Sequence, residues 1–485
     1  MAAAAPVDQR EATPAWSTAD LRHVLACLSA LDTGVSDAER IDQIGLLESI
    51  KSAAAGAQAR VSAAFAASQR ESQTASGLRA RERGRGIAAQ IALARKESAA
   101  RGSRHLGFAE AMVHEMPRTL AHLEAGSVSE WRATIVCRET ACLSREDRAA
   151  VDAALAADLP SLGDRQVEAR AKALACRLDA AAMAKRAARA HSERRVSLRP
   201  APDTMTHLTA LLPVAQGVAV FAALERAAGS AQAEGDDRGR GQVMADTLVE
   251  RVTGQATAAA VPLEVQLVMS AETLPRQEAD ATSDEPALLA GHVLPAQTAR
   301  DLVSSSHAEG AHLSLRRVLA TRDGTDLAGV AARRDAFSGS AEAVPPNTDG
   351  SSSSRRFTGA LRRFILLRDQ TCRTPWCDAP IRHVDHIIAA REDGPTIAAN
   401  GQGLCEACNY AKEAPGWRVR PVRAGPGHTV RTTTPTGHTY DSTAPPLLPS
   451  RVRATDRAPD GASDRAPDRP TTSVLESSYE LLLSA

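Results

Sequence analysis

Four cysteines constrain this chain more than any other feature. Cys372 and Cys377 form one pair and Cys405 and Cys408 a second, all within 371–412. Each pair can set two thiolates on one side of a tetrahedral Zn²⁺ while the segment between closes as a loop, so the spacing predicts a structural zinc site. Four unrelated cysteines, or a disulfide pair, are the competing readings, and nothing in the sequence points to secretion. Cys27, Cys137, Cys142 and Cys176 lie scattered in Ala/Leu-rich helical context, where a free cysteine acts as a small buried hydrophobe.

Between the pairs runs Arg382-His383-Val384-Asp385-His386-Ile387-Ile388; Asn400 follows, and Asn409 comes directly after Cys408. Residues 381–388 read as a strand, whose neighbouring side chains point to opposite faces. His383 then shares a face with Asp385 and not with His386. An Asp carboxylate on a divalent cation, with a His beside it as base, supplies what phosphodiester hydrolysis needs. The base activates water, and the cation offsets charge on the phosphate and the leaving oxygen. A neutral imidazole suits the base role near pH 7. Standing alone, the pair would read better as a strand histidine next to a solvated aspartate.

The chain has 485 residues, enough for about two or three domains. Aromatics are only 3%, so the cores rely on Ala, Leu and Val, which suits closely packed helices. Residues 1–16 read as a disordered leader. Ser17 with Asp20 and Ser36 with Glu39 fit the capping-box pattern, each ahead of an apolar run. Leu21, Val24, Leu25 and Leu28, then Ile41, Ile44, Leu47 and Ile50, recur at helical spacing. The Ala-rich segment 51–69 is expected to continue the second of these helices, and further helices are expected from Ile87 onward and over 108–190. After about residue 193 the texture becomes mixed α+β: 195–200 and 206–212 alternate as pairing strands, 218–228 and 242–253 read as helices, and 263–269 as a strand. A Ser/Gly/Pro-rich linker is expected at 336–356 and a helix at 357–369. Short strands are expected at 417–420 and 428–440, and a disordered Pro-rich tail over 442–485.

Lys plus Arg equals Asp plus Glu at 58 each, so net charge is zero. The charge is unevenly spread. Between 77 and 105, Arg79, Arg81, Arg83, Arg85, Arg95, Lys96, Arg101 and Arg104 face only Glu82 and Glu97. That stretch is either a solvated helix face or a phosphate-contacting surface. No basic segment followed by an apolar core opens the chain, and no window approaches the length of a membrane span. The expectation is a cytoplasmic protein with reduced thiols and no membrane partner.

The stretch 371–412 resembles an HNH endonuclease domain, whose pattern runs cysteine pair, Asp-His, a middle Asn, then a cysteine pair with His or Asn immediately after. The resemblance implies a C-terminal ββα-metal fold (a His-Me finger) over 357–441, holding structural zinc on Cys372, Cys377, Cys405 and Cys408. It implies His386 as general base and Asn400 as the residue that holds the loop and orients that base. Asp385 and Asn409 would hold a catalytic Mg²⁺ or Mn²⁺. In place of the Pro and paired glycines that often follow the Asp-His, this chain has Ala389 to Pro395, and its final position is Asn. His383 reads as a residue that supports the ligands or faces DNA. Upstream, the run 93–101, Glu115-Met-Pro and Gly126-Ser-Val-Ser-Glu-Trp131 resemble the helical domain of unknown function 222. That resemblance implies a mainly α region over 17–335, with some strands after 193.

The implied activity is hydrolysis of DNA phosphodiester bonds. Arg368, Arg382 and Lys412, with Arg362, Arg363 and Arg373, would hold phosphates without reading sequence. The alternative is a non-catalytic, zinc-ribbon-like DNA-binding or regulatory protein. Protein partners or a homodimer through the helical region remain open.

Overall fold

A computed structural model of the chain describes residues 16–201, 205–255, 257, 267–268, 287–289, 292–301, 314–315, 318–320, 327–330, 334–335, 355–422 and 427–446. The expected leader (apart from Trp16), most of the linker, the strand 263–269 (apart from two residues) and the tail past 446 lie outside them.

The N-terminal region is helical: α1 (Thr18–Ser29), α2 (Asp37–Ala75), α3 (Ile87–Ala94), α4 (Ala99–Glu115), α5 (Pro117–Glu124), α6 (Glu130–Glu139), α7 (Arg145–Leu155), α8 (Asp164–Leu178) and α9 (Ala180–Ser192). Ser17 and Asp20 form the full reciprocal cap of α1. Ser36 caps α2 only one way, accepting the Glu39 N–H at 3.3 Å. As expected, the Ala-rich segment 51–69 continues the helix that begins ahead of Ile41, and both are α2. The apolar positions of α1 and of the start of α2 do not build the core: Leu25 is 69% and Ile41 67% exposed. The core begins further along, at Ala55 and Ala59, and runs through Met112, Leu123, Val136, Val151 and Val167.

Small residues let these helices approach closely. A Cβ on Gly102 of α4 would lie 2.6 Å from the Ala92 Cβ of α3, so this crossing tolerates only glycine. Polar groups inside the core are matched. Asp152 of α7 is 1% exposed. Its carboxylate accepts the backbone N–H groups of Arg118 and Thr119, each at 2.8 Å, and the Thr119 hydroxyl at 2.6 Å. Helix α5 follows Met116, which offers no capping oxygen of its own. Asp152 supplies that cap from a neighbouring helix, with its negative charge at the positive end of α5.

Next come β1 (Arg195–Pro200) and β2 (Thr206–Leu211), paired antiparallel with Arg195 opposite Leu211, then α10 (Val214–Ala233) and α11 (Arg240–Thr253). Short antiparallel strand pieces lie between Leu267 and Asp335. The C-terminal part comprises α12 (Gly359–Asp369), β3 (His383–His386), β4 (Gly401–Leu404), α13 (Glu406–Lys412), and a meander of β5 (Arg418–Val422), β6 (Thr429–Thr433) and β7 (Thr439–Thr443). The strand expected over 381–388 is thus half that length. The folded chain also passes the boundary expected at 441: β7 reaches Thr443, and Gln370 Nε2 donates to the Pro446 carbonyl at 3.1 Å. Among the described residues, no helix is long and apolar enough to cross a membrane.

Removing the Asp152 carboxylate would strand buried donors. Asp152→Ala is expected to lower stability by about 3 kcal/mol in urea melts, and Asp152→Asn by about half as much. A loss below about 1 kcal/mol for the alanine variant would remove Asp152 from this role.

Candidate functional site

The four cysteines of the two pairs converge. Their Sγ atoms all lie within 4.8 Å of one another, and all four residues are buried. Cys377 Sγ is 3.8 Å from Cys405 Sγ and 3.6 Å from Cys408 Sγ. Zinc–sulfur bonds of about 2.3 Å put neighbouring sulfurs of a tetrahedron about 3.8 Å apart, so the cage fits the ion. The buried group could therefore hold a structural metal such as zinc. Local backbone aims the sulfurs: Cys372 N–H donates to the Ala379 carbonyl, Cys377 N–H to that of Thr374, and Trp376 takes a φ of 58° to close the turn. Cys405 is the N-cap of α13, its Sγ accepting the Cys408 N–H at 3.4 Å. A hydrogen bond from Cys372 draws Cys377 down to about 7 and lowers Cys405 as well, while hydrogen bonding within the group raises Cys372 and Cys408. Metal binding would take all four as thiolates and release protons.

Helix α12 enters this unit with a buried ion pair. Arg368 donates twice to the adjacent Asp369, at 2.7 and 3.1 Å, and also to the carbonyls of Ala398 and Gly401. Asp369 accepts the Gly403 N–H at 2.7 Å. Arg368 is 6% exposed, so the expectation that it contacts nucleic acid is corrected: its donors are spent on holding β4 against α12. Arg373, 3% exposed, is likewise spent on the carbonyls of His428 and Ser442. Arg382 and Arg363 are exposed, and Arg362 is half-buried.

Strand β3 shows the alternation expected of it. His383 and Asp385 face α13, whereas Val384 and His386 face α12. Val384 packs with Phe364 and Ile365, and the His386 ring sits 4.6 Å from the Phe357 ring. His386 is buried; its Nε2 lies 3.0 Å from Thr396 Oγ1, and its Nδ1 lies 3.9 Å from Asp385 Oδ1. Burial is the main force lowering its pKa, with the Lys412 charge in the same direction and Asp385 opposing. Asp385 accepts the His386 N–H at 2.8 Å through one oxygen and pairs with Lys412 Nζ at 2.9 Å through the other. Lys412 also reaches Glu413 and the His386 carbonyl. Its ammonium is thus committed inside the site, which corrects the expectation of a free phosphate contact. Asp385 and His386 line an open groove with Arg355, Arg391, Lys412 and Glu413.

Asn400 folds the connecting loop. Its Oδ1 accepts the Ile388 N–H at 2.9 Å, and its Nδ2 donates to the carbonyls of Ile388 and Pro395. Asn409 is brought to His383, with Nδ2 3.3 Å from the His383 Nδ1. Its Oδ1 is buried with no partner among the described residues. Thr396 escaped sequence reasoning, although it is the sole hydroxyl residue between His386 and Asn400. Phe357 escaped too, since nothing local in the sequence pairs it with a strand histidine.

The model of a family described as a domain of unknown function, DUF222, matches residues 48–369, about two thirds of the chain. The chain belongs to the DUF222 family. The DUF222 match begins later than the expected 17, runs through the expected linker, and ends at Asp369, three residues before Cys372. The chain is also 36% identical over 88 residues to the uncharacterized protein Rv3776 of Mycobacterium tuberculosis; this stretch is 18% of the chain and 16% of that protein. No solved structure matches.

Two outcomes follow from these contacts. Cys405→Ser is expected to strip zinc from the purified protein and to melt the C-terminal part; a parent free of zinc by elemental analysis would remove the metal from the account. His428 Nε2 donates to the Ala399 carbonyl, 3.1 Å away, while its Nδ1 is buried without a partner among the described residues. Burial pushes it down to about 4, helped by Arg368. Its folded pKa lies below its unfolded value of about 6.5, so its contribution is intact above that pH and is lost as pH falls towards 4. Melts of His428→Gln should lose less stability than the parent across that window; parallel curves would refute the assignment.

Proposed function

We propose that the C-terminal part is a metal-dependent HNH endonuclease that hydrolyses DNA phosphodiester bonds. The observation that carries this reading is His386, buried and biased to its neutral form beside the Asp385 carboxylate at an open groove. The order β3, β4, α13 upon a four-cysteine cage supports a ββα-metal arrangement.

Each residue then has a task. Thr396 holds His386 Nε2, which leaves Nδ1 to take a proton from the attacking water. Phe357 and the burial around the ring keep His386 from carrying a standing charge at neutral pH. Asn400 locks the loop that carries Thr396, so it sets the orientation of the base indirectly. Asp385 and the orphaned Oδ1 of Asn409 offer hard oxygen donors that suit Mg²⁺ or Mn²⁺. When bound, that cation would supply positive charge to the phosphate and the leaving oxygen. Lys412 neutralises Asp385 in this structure, so its ammonium either shares the carboxylate with the cation or yields it. Arg382, exposed beside the site, would hold the DNA backbone.

The Lys412–Asp385 pair also favours a second reading, in which the unit is a non-catalytic, zinc-ribbon-like module that binds DNA or regulates. Supercoiled plasmid with Mg²⁺ or Mn²⁺ separates them. Nicking by the parent should fall by at least about 100-fold in His386→Ala, with zinc content and melting unchanged. Equal DNA retention by both proteins, without any cleavage, favours the binding module.

A further inference from the structure

The arginine-rich stretch near residue 80 has no part in the site chemistry, yet the fold brings it there. Arg79, Arg81, Arg83 and Arg85 lie between α2 and α3, and all four are exposed. The segment is held in shape rather than draped. Gln73, near the end of α2, accepts the Gly84 N–H at 2.6 Å and donates to the Arg85 carbonyl at 3.1 Å. Gly84 and Gly86 take φ of 86° and 79°, backbone that side chains resist. Arg83 Nε donates to the Leu78 carbonyl at 3.0 Å. Among the described residues, none of the four arginines pairs with a carboxylate.

Contacts with the C-terminal part fix where this loop points. Arg85 Nη2 reaches the carbonyl of Tyr410, on α13 next to Asn409, at 3.4 Å. A Cβ on Gly86 would come 2.5 Å from Trp417 Nε1, so the loop backbone lies directly on that indole. Nearby, Thr436 donates to Gln90 of α3 at 3.1 Å, and Ala99 of α4 packs against the cysteine group. On the other side of Tyr410, its ring lies 6.3 Å from that of His383, which precedes Val384 and Asp385 and follows the exposed Arg382. Tyr410 of α13 thus links the Arg79–Arg85 loop to the strand that carries Asp385, and Glu82 is the one acidic residue in that loop.

We propose that the Arg79–Arg85 loop of the DUF222 region is a phosphate-gripping arm for duplex DNA, forming one interface with the Asp385–His386 groove. This rests on the nuclease reading and extends it: the family region would supply affinity, and the C-terminal part the chemistry. Guanidinium groups on a preformed loop with no internal carboxylate suit backbone phosphates, and such contacts release counterions without reading bases.

The test uses the full-length chain and a short fluorescent DNA duplex, without added divalent cation, titrated over a range of salt. Arg79→Gln, Arg81→Gln and Arg83→Gln are combined; Arg85 is kept because it bonds α13. The slope of log affinity against log salt should shrink by about 0.9 for each lost phosphate contact, and Kd near 0.1 M salt should rise on the order of a hundredfold. Lysine at the same three positions should restore most of the slope. Glu82→Lys, which adds charge to the loop, should steepen it and gives a gain-of-binding arm if the triple variant folds poorly. A parent that binds DNA with a slope none of these variants changes overturns the arm and leaves the nuclease reading standing. A parent that binds no duplex DNA at low salt, or prefers duplex RNA, overturns the arm and the DNA assignment together.

Discussion

Everything in the C-terminal part hangs on four sulfurs from two separate stretches of chain meeting in a space 4.8 Å across. The turn at 372–377 carries no regular structure of its own, and α13 is a single short helix of seven residues. Neither would hold its place alone, because so short a helix is unstable outside its packing. Joining them sets the angle of α13 against β3, and with it the meeting of Lys412 with Asp385 and of Asn409 with His383. The cage decides which side chains meet.

A second constraint is the buried Arg368–Asp369 pair. Taking two charges out of water costs several kcal/mol, and Coulombic attraction repays this only when the remaining donors and acceptors are also satisfied. Here they are: Arg368 bonds two carbonyls, and Asp369 takes the N–H of Gly403. The pair therefore acts as a clip, binding α12 to β4 and to the loop that ends at Asn400. It lies where the DUF222 match ends. The family region and the cysteine-bearing part are thus continuous through one helix end, and they touch again through Trp417, Gln90 and Ala99.

The groove itself balances opposing charges. Asp385, Lys412, Glu413 and Arg391 form a chain of contacts along one rim, with Lys412–Asp385 at 2.9 Å and Arg391–Glu413 at 2.6 Å. His386 stays out of this chain, turned to the other face of β3 and shielded by Phe357. That separation lets a carboxylate and a neutral imidazole adjoin each other without the carboxylate drawing a permanent proton onto the ring.

Local pattern made much of this protein legible. The α1 cap, the helix starting at Ile87, the β1–β2 pair and the alternation of His383, Asp385 and His386 follow from neighbouring residues and a fixed repeat, and the structure shows each. The cysteine cage was legible because metal spacing is written along the chain. What local pattern could not convey was which charges would be consumed. Arg368, Arg373 and Lys412 look like free cations in sequence, yet each is spent on partners up to 69 residues away. Nor could it show that the apolar face of α1 stays exposed, that Thr396 meets His386, or that an arginine loop near residue 80 lies on α13. Secondary structure and metal spacing are short-range properties that the sequence alone determines. The fate of a charge depends on what packing brings within a few ångströms of it, and only the tertiary structure decided that.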